Sequence, residues 1–433
     1  MGHLTGVGIY HRLGKKIDRL TVRAPWNETF HSILRELYST EEADVVIKMP
    51  YSLSTFDRVR KATGYDVLKL KKILEGLCLK GLVIDLCLKE TFYYMPSPVV
   101  VGIYEFTMMR TGGGVDQSKM AGLFKEYMFS TFFPANFKES SLKPMRTLAH
   151  ENTIDEAAYV EVLDFEKATA LIEEADRLSI GICSCRHEKL HLGEACGVPL
   201  DTCSSFGFAA DYLIRNNLAK EVSKAAMLEN LARSKELGLV LNADNVKRNI
   251  GYICHCCGCC CNVLLGISQH GFTGTVVSSG FIPEFALQSC EGCGKCEKAC
   301  AVGAIEMRPI LDPKTKKKKE PHFDSSICLG CGVCAGKCKT GSIKLVRGTK
   351  RVINPDSTFE RVIRQSLERG NLQFQLFDDP NSVTHKFMQG IVGGFLRLPP
   401  VKQALMSDSL RSIFLGALRV GLKIQGKGSV LEI

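Results

Sequence analysis

The pattern C-x2-C-x2-C-x3-C occurs twice in this chain, in SCEGCGKCEKACAVGAIEM (residues 289–307) and in ICLGCGVCAGKCKTGSIKL (residues 327–345), at an offset of 38 residues. A thiol at every third position surrounds one point only if the loop between is tight. Gly292, Gly294, Gly330 and Gly332 supply the backbone freedom for such a loop. Of 433 residues 20 are Cys, and 18 of those lie between Cys183 and Cys338. Small secreted domains use such densities for disulfides, whereas a chain of this length builds its own core. The N-terminal MGHLTGVGIYHRLGKK lacks a basic-then-apolar run with a small-residue cleavage site, and Gly6 stands where myristoylation wants Ser or Thr. No window of 18 apolar residues offers a spanning helix. The expectation is a cytoplasmic chain, with peripheral contact at the cytoplasmic membrane as a variant, whose reduced thiols bind metal.

The repeated pattern resembles the two-cluster ferredoxin module of bacteria, over about 60 residues. In that family the first three cysteines of each run bind one [4Fe-4S] cluster and the fourth crosses to the other. The resemblance implies one cluster on Cys290, Cys293, Cys296 and Cys338, and a second on Cys328, Cys331, Cys334 and Cys300. Each corner iron of a cubane wants a soft thiolate, so neither half completes its site alone. Structural zinc would want four ligands from C-x2-C pairs, not two interleaved sets. Two features depart from the family. Ala301 and Lys339 replace the Pro that follows the fourth cysteine. The link between the halves is long and carries Lys314-Thr315-Lys316-Lys317-Lys318-Lys319, read as a solvated insertion or a docking loop.

Ten more cysteines precede this module. Cys183, Cys185, Cys196 and Cys203 are spread out, while Cys254, Cys256, Cys257, Cys259, Cys260 and Cys261 crowd into CHCCGCCC. Cys254, Cys257 and Cys260 repeat the spacing that wraps a cubane, Cys256 and Cys259 make a separate C-x2-C, and Gly258 permits a tight turn. One or two further iron–sulfur clusters are expected here; structural zinc and a thiol redox pair are the alternatives. Arg186, His187 and His255 stand beside these thiols. The pattern predicts a helix from Asp164 to Leu178 with Phe165, Ala168, Leu171, Ile172 and Ala175 on its apolar face. It predicts a strand Ser179–Cys185 that delivers two thiols, helices Phe206–Asn216 and Val222–Glu236 stopped by Gly238, and a strand Leu239–Leu241. The uncharged stretch Asn249–Pro283 reads as site and loop. The segments ICSCRHEKLHLGEACGVPLDTCSSFGFAADYL and GLVLNADNVKRNIGYICHCCGCCC resemble multi-cluster ferredoxin-like proteins of anaerobic bacteria and archaea, in which CxCR and ICxCC motifs precede the ferredoxin module. That resemblance covers most of residues 50–345. It implies further iron–sulfur binding and assigns neither ligands nor a reaction.

The remaining segments frame this centre. Between Ser52 and Met95 the pattern predicts a capped helix Phe56–Thr63, a helix Asp66–Lys80 with Val67, Leu70, Ile73, Leu74 and Leu77 on one face, and a hairpin turning at Lys89-Glu90. The phrase LKKILEGLCLKGLVI resembles winged-helix domains of the ArsR/MarR type. DNA binding through Lys69, Lys71 and Lys72 is one implication, and a structural or docking module is the favoured one. Cys78 and Cys87 are expected in the core. A helix Ser357–Glu368 and amphipathic stretches Val383–Leu398 and Val401–Leu422, interrupted by Pro399-Pro400, end the chain. Phe387, Ile391, Val392, Phe395 and Leu396 mark the first apolar face, and Leu405, Leu410, Ile413, Phe414, Leu418 and Val420 the second. Arg411, Arg419 and Lys423 make the second stretch basic, which suits a membrane surface, and packing on the protein itself or on a partner subunit is the favoured alternative.

The fold expected is therefore α+β and multidomain: a winged-helix-like domain at 1–115, a Cys-rich α/β domain at 150–285, a 2[4Fe-4S] ferredoxin-like module at 286–346 and a helical region at 347–433. Net charge is +5 over residues 1–80 and +7 over 340–433 against +10 in all, so basic ends flank a slightly acidic centre. No G-x-G-x-x-G follows a strand and no P-loop is present, and Gly112-Gly113-Gly114 reads as a loop. The expected function is a relay of single electrons between redox partners or subunits of a larger complex. A redox-sensing winged-helix transcriptional regulator and an oxidoreductase with an unusual iron–sulfur centre are the alternatives, and nucleic acid is not the favoured partner.

Overall fold

The computed structural model describes residues 2–138, 142–159, 162–163, 166–310, 317–349, 354–424 and 428–431. The chain forms two compact units. One comprises Met1–Asn136, Tyr212–Leu218 and Asp356–Ile433; the other comprises Phe137–Asp211 and Ala219–Pro355. Residues 1–136 and 356–433 at the two ends share one unit, and every cysteine from Cys183 to Cys338 lies in the other.

The first unit begins with helices α1 (Gly2–Asp18), α2 (Glu28–Leu37) and α3 (Thr40–Lys48). Asn27 caps α2 by accepting from Phe30 N–H at 2.7 Å, and Ser39 with Glu42 forms a reciprocal capping box on α3. Strand β1 (Ser54–Thr55), helices α4 (Phe56–Thr63) and α5 (Val67–Leu79), and strands β2 (Val83–Leu88) and β3 (Thr91–Pro96) follow as helix, helix and hairpin. Thr55 caps α4, left-handed Gly64 ends it, and Asp66 caps α5. Lys89 and Glu90 both take positive φ, 49° and 63°, the twist a two-residue hairpin loop needs. Leu70, Leu74 and Leu77 are buried, Ile73 is half-buried, and Val67 in the first turn is exposed. Cys78 is buried as expected. Cys87 is half-buried, because it alternates along β2 with buried Leu86 and Leu88. Helices α6 (Tyr104–Met109), α7 (Gln117–Tyr127) and α8 (Phe133–Phe137) add an aromatic core, with Phe30 stacked on Tyr127 at 4.9 Å. Gly112, Gly113 and Gly114 lie in an exposed loop.

The second unit is built on strands β4 (Met145–Leu148), β5 (Leu178–Ile182), β6 (Asp201–Phe206), β7 (Ala219–Glu221), β8 (Val240–Asp244), β9 (Tyr252–Cys256) and β10 (Val276–Val277). They form one sheet in the order β10-β4-β8-β9-β6-β5-β7, antiparallel except for β10 beside β4. The expectation for 150–285 was a Cys-rich α/β domain. Helices and strands do follow one another there, and the sheet recruits β4 from ahead of residue 150. Helices α9 (Glu156–Tyr159), α10 (Ala168–Glu174), α11 (Ser184–His191), α12 (Gly207–Arg215), α13 (Lys224–Leu237) and α14 (Asn262–His270) connect the strands. The helix expected from Asp164 to Leu178 is only α10, since Leu178 already belongs to β5; Asp164 and Phe165 lie outside the described residues. The strand expected to reach Cys185 stops at Ile182, where Cys183 becomes the N-cap of α11. Asn249–Pro283 is more than loop, for it contains β9 and α14.

Strand alternation gives this sheet two different faces. Leu148, Leu241, Ala243 and Ile253 pack beneath Leu171 and Ile172 of α10 and Met227 and Leu231 of α13. The opposite face presents Val240, Cys254 and Cys256 to Leu264 and Ile267 of α14 and to Val302, Leu329 and Val333 of the ferredoxin-like part. That part contains β11 (Phe281–Phe285), α15 (Lys295–Ala299), β12 (Ile305–Pro309), β13 (Lys319–Phe323), α16 (Val333–Gly336) and β14 (Ile343–Arg347). β11 pairs with β14 and β12 with β13, both antiparallel. Within the expected lysine loop, Lys314, Thr315 and Lys316 lie outside the described residues, while Lys317 Nζ donates to the Leu287 carbonyl at 2.6 Å.

The chain ends in α17 (Thr358–Arg369), α18 (Leu372–Leu376), α19 (Val383–Leu396), α20 (Pro399–Met406) and α21 (Asp408–Ile424), within the first unit. Asp378 is fully buried there and accepts from both Arg58 guanidinium nitrogens, at 2.7 and 2.9 Å. The helix expected over Val401–Leu422 is two helices broken at Ser407. Pro399-Pro400 forms the first turn of α20, where a missing N–H costs nothing. Val383, Phe387, Ile391 and Phe395 repeat every fourth residue of α19, and each is more than half exposed. Among the described residues no helix is long and apolar enough to cross a membrane.

Candidate metal centres

Helices α15 and α16 each begin behind a left-handed glycine, Gly294 at φ 72° and Gly332 at φ 82°. The loops before them turn at Gly292 and Gly330, also at positive φ. A Cβ on Gly330 would strike the Phe281 carbonyl oxygen, and one on Gly332 the Thr153 hydroxyl, so the loop can take this path only without side chains there. Backbone N–H groups aim at the thiols: Gly292 at Cys290 Sγ (3.4 Å), Gly330 at Cys328 Sγ (3.4 Å) and Ala304 at Cys300 Sγ (3.1 Å). Cys300, Cys328, Cys331 and Cys334 line a single apolar cavity together with Val302, Ile305, Leu329 and Val333. Burial pushes the Cys328 thiol up to about 11 and the Cys331 thiol up to about 12, and their sulfur neighbours add to the rise. Cys296 has Cys290 and Cys293 as neighbours and shares an apolar cluster with Met307, Ile343 and Cys338. These donor sets suit iron–sulfur cubanes: all ligands are soft thiols, N–H groups point at sulfur, and apolar walls exclude water.

The ten remaining cysteines separate into two sets. Along β9, Cys254 and Cys256 point to one face while His255 points to the other, where its Nε2 meets Ser204 Oγ at 2.8 Å. Cys203 lies beside Cys254, Cys254 beside Cys256, Cys256 beside Cys261, Cys261 beside Cys185 and Cys185 beside Cys183. This row of six is fed by β6, β9 and the N-termini of α11 and α14. The Cys254 and Cys261 thiols pull Cys256 down to about 6 against the effect of burial, with help from the Asn242 side chain. Asn242 is held by Thr147, which donates to its Oδ1 at 2.9 Å.

Cys196, Cys257, Cys259 and Cys260 form the second set, with all four sulfurs within 4.8 Å of one another. The expected triple Cys254, Cys257 and Cys260 is therefore split, and so is the pair Cys256 and Cys259. The physical reason is that period-two alternation ends with β9 at Cys256, and the chain then turns over residues 257–260. Gly258 sits in that turn against Ala301, where an added Cβ would lie 2.9 Å from Ala301 Cα. Ala301 is one of the residues that replaces the family's Pro, and it follows Cys300 of the ferredoxin-like part.

Arg186 lies between the two sets. Its guanidinium is buried, donates to the His255 carbonyl at 2.8 Å and to Thr202 Oγ1, and stands 3.9 Å from Cys257 Sγ. Burial works against its charge, but the thiols of Cys183, Cys257 and Cys256 outweigh burial and hold its pKa above the usual value. Among the described residues no carboxylate is paired with it, and Cys257 is the sulfur it approaches. His187 joins a different contact, with His191 at 3.1 Å between ring nitrogens. Asn242, Thr202 and Ser204 were not singled out by sequence. The only sequence signal is at Asn242, a polar residue between apolar Leu241 and Ala243 in β8.

Residues 289–342 match the family of 4Fe-4S dicluster domains. No curated protein and no solved structure matches the chain. The domain match and the 20 cysteines make this an iron–sulfur protein that carries [4Fe-4S] clusters.

Proposed function

We propose that the chain relays single electrons between redox partners through two [4Fe-4S] clusters, with at least one further cluster among the cysteines of residues 183–261. Cys290, Cys293, Cys296 and Cys338 would hold one, and Cys300, Cys328, Cys331 and Cys334 the other. The observation that carries this reading is the apolar cavity lined by the second of these quartets. When bound, such clusters supply one-electron couples at potentials set by their surroundings. The chain contributes those surroundings. Apolar walls lower the local dielectric, and N–H groups from Gly292, Gly330 and Ala304 stabilise charge on sulfur. The contact of Gly258 with Ala301 brings the second cysteine region against the residue after Cys300, which gives an electron a short route between them.

The partners would be redox proteins or subunits of a larger complex in the cytoplasm. The exposed stripe of α19 gives such a partner, or a membrane surface, an apolar contact. One observation favours the second reading, an oxidoreductase with an unusual centre: the row of six thiols exceeds what a four-ligand cluster uses.

Anaerobic purification with iron and sulfide analysis tests the proposal. About eight iron and about eight sulfide per chain are the minimum expected for two cubanes. Cys293→Ala should remove about four of each and abolish one cluster signal in the EPR of the reduced protein. Cys185→Ala should lower iron again if a further cluster occupies the six-thiol row. A preparation with metal but no sulfide would overturn the relay.

A further inference from the structure

The set Cys196, Cys257, Cys259 and Cys260 is more compact than an iron–sulfur cubane requires. Cys196 Sγ and Cys257 Sγ are 3.8 Å apart, and Cys259 Sγ and Cys260 Sγ are 3.7 Å apart. These two separations share no atom, so they are opposite edges of one tetrahedron. A single zinc ion with Zn–S bonds of about 2.3 Å sets tetrahedral edges of about 3.8 Å. In a cubane each thiolate sits on a different iron, which spreads the four sulfurs to about 6 Å. The chain offers its own internal comparison. Among the described residues, no other set of three or more Cys, His, Asp or Glu ligand atoms draws within 4.8 Å, and the eight ferredoxin-type cysteines are all described. The same backbone thus holds wide quartets in one place and a narrow one in another.

We infer that Cys196, Cys257, Cys259 and Cys260 hold one thiophilic divalent ion in tetrahedral geometry, separate from every iron–sulfur cluster. Zinc is the first candidate, since it stands above iron(II) in affinity for such a site and four thiolates in a tetrahedron satisfy it. The ion would tie the segment after α11, which carries Cys196, to the turn at 257–260. Leu239 and Val198 pack against the buried members Cys257 and Cys260, while Cys259 reaches the surface and gives the ion a way in. Cys256 and Cys261, at either end of that turn, belong to the six-thiol row, so the ion would brace the mouth of the neighbouring centre. The inference does not rest on the proposed relay, and either can fail alone.

The test uses the full-length protein purified anaerobically with its clusters in place, compared with Cys196→Ala and Cys259→Ala. Zinc, iron and sulfide are measured per chain. The expected result is the loss of one zinc, or of one iron without sulfide, from each variant, with cluster iron and sulfide unchanged. Cobalt supplied during expression should give the ligand-field bands of a tetrahedral tetrathiolate site in the wild type and lose them in both variants. Loss of about four iron with about four sulfide from either variant would overturn the inference, as would unchanged metal content in both. Should the variants fail to fold, X-ray absorption at the zinc edge of the wild type decides. Four sulfur neighbours at about 2.3 Å support the site. Nitrogen or oxygen neighbours, or a wild type with neither zinc nor iron in excess of its sulfide, refute it.

Discussion

Gly258 shows how a single missing side chain joins two parts of a molecule. A Cβ there would press on the main chain at Ala301, which has no flexible end to move aside. Gly258→Ala should therefore lower the stability of the metal-loaded protein by about 1–3 kcal/mol, read from anaerobic denaturant melts. Glu105 makes a different point about burial. It stands in the first turn of α6, accepts from Gly102 N–H at 2.9 Å, and is pushed by burial up to about 7. Its proton is held more tightly in the folded chain than in the unfolded one. The stability it adds is complete below pH 4.5 and is lost as pH rises to 7 and beyond. Glu105→Gln should thus be more stable than wild type at pH 8, by up to about 3 kcal/mol, with the difference closing toward pH 4.5. A difference that does not vary with pH would show that the carboxyl is solvated. Arg186 is the residue whose role depends most on sulfur. Its replacement by Met would leave nearby thiolates without their cation, and the midpoint potential of the adjacent centre should fall in an EPR-monitored titration.

At the scale of elements, local chemistry was legible wherever a cap, a left-handed glycine and an apolar stripe agreed. Helices α4, α5, α13 and α17 begin and end within about two residues of their sequence signals, as expected where caps are strong. The ferredoxin-like loops were legible for the same kind of reason, since their spacing and glycines leave few alternatives. Two kinds of information were hidden. One was where a strand yields to a helix: Cys183 and Cys185 belong to a helix start, because the ladders of β5 with β6 and β7 end at Ile182 and Gly181. The other was pairing across distance. Nothing local links Asp378 to Arg58, yet the buried carboxylate has that guanidinium as its ionic partner. Arg58→Met should cost about 3–5 kcal/mol by removing the ion-pair partner of a buried carboxylate, and the double change with Asp378→Asn should recover much of it. On α19, sequence identified an apolar face but not its direction. Leu396 turns inward, whereas Val383, Phe387, Ile391 and Phe395 turn outward.

For the whole molecule, the grouping of segments was the least legible property. The two basic ends fall mostly within one unit, and the cysteine-rich centre forms the other. Ion content and charge are thereby segregated, so loss of the clusters should disturb the second unit before the first. Chelation under anaerobic conditions followed by limited proteolysis checks this, with early cuts expected between residues 137 and 355. Uniform digestion of both units would argue against separate dependence on metal.

The alternation of ligands around residues 256–261 carries one more consequence. Cys256 and Cys261 belong to the row of six thiols, while Cys257, Cys259 and Cys260 between them belong to the set with Cys196. The segment therefore acts as a ruler with no slack: inserting or deleting one residue would shift thiols out of both sets at once. Neither the length nor the composition of this stretch can vary freely, and room for insertions lies elsewhere, as in the exposed loop at Gly112–Gly114.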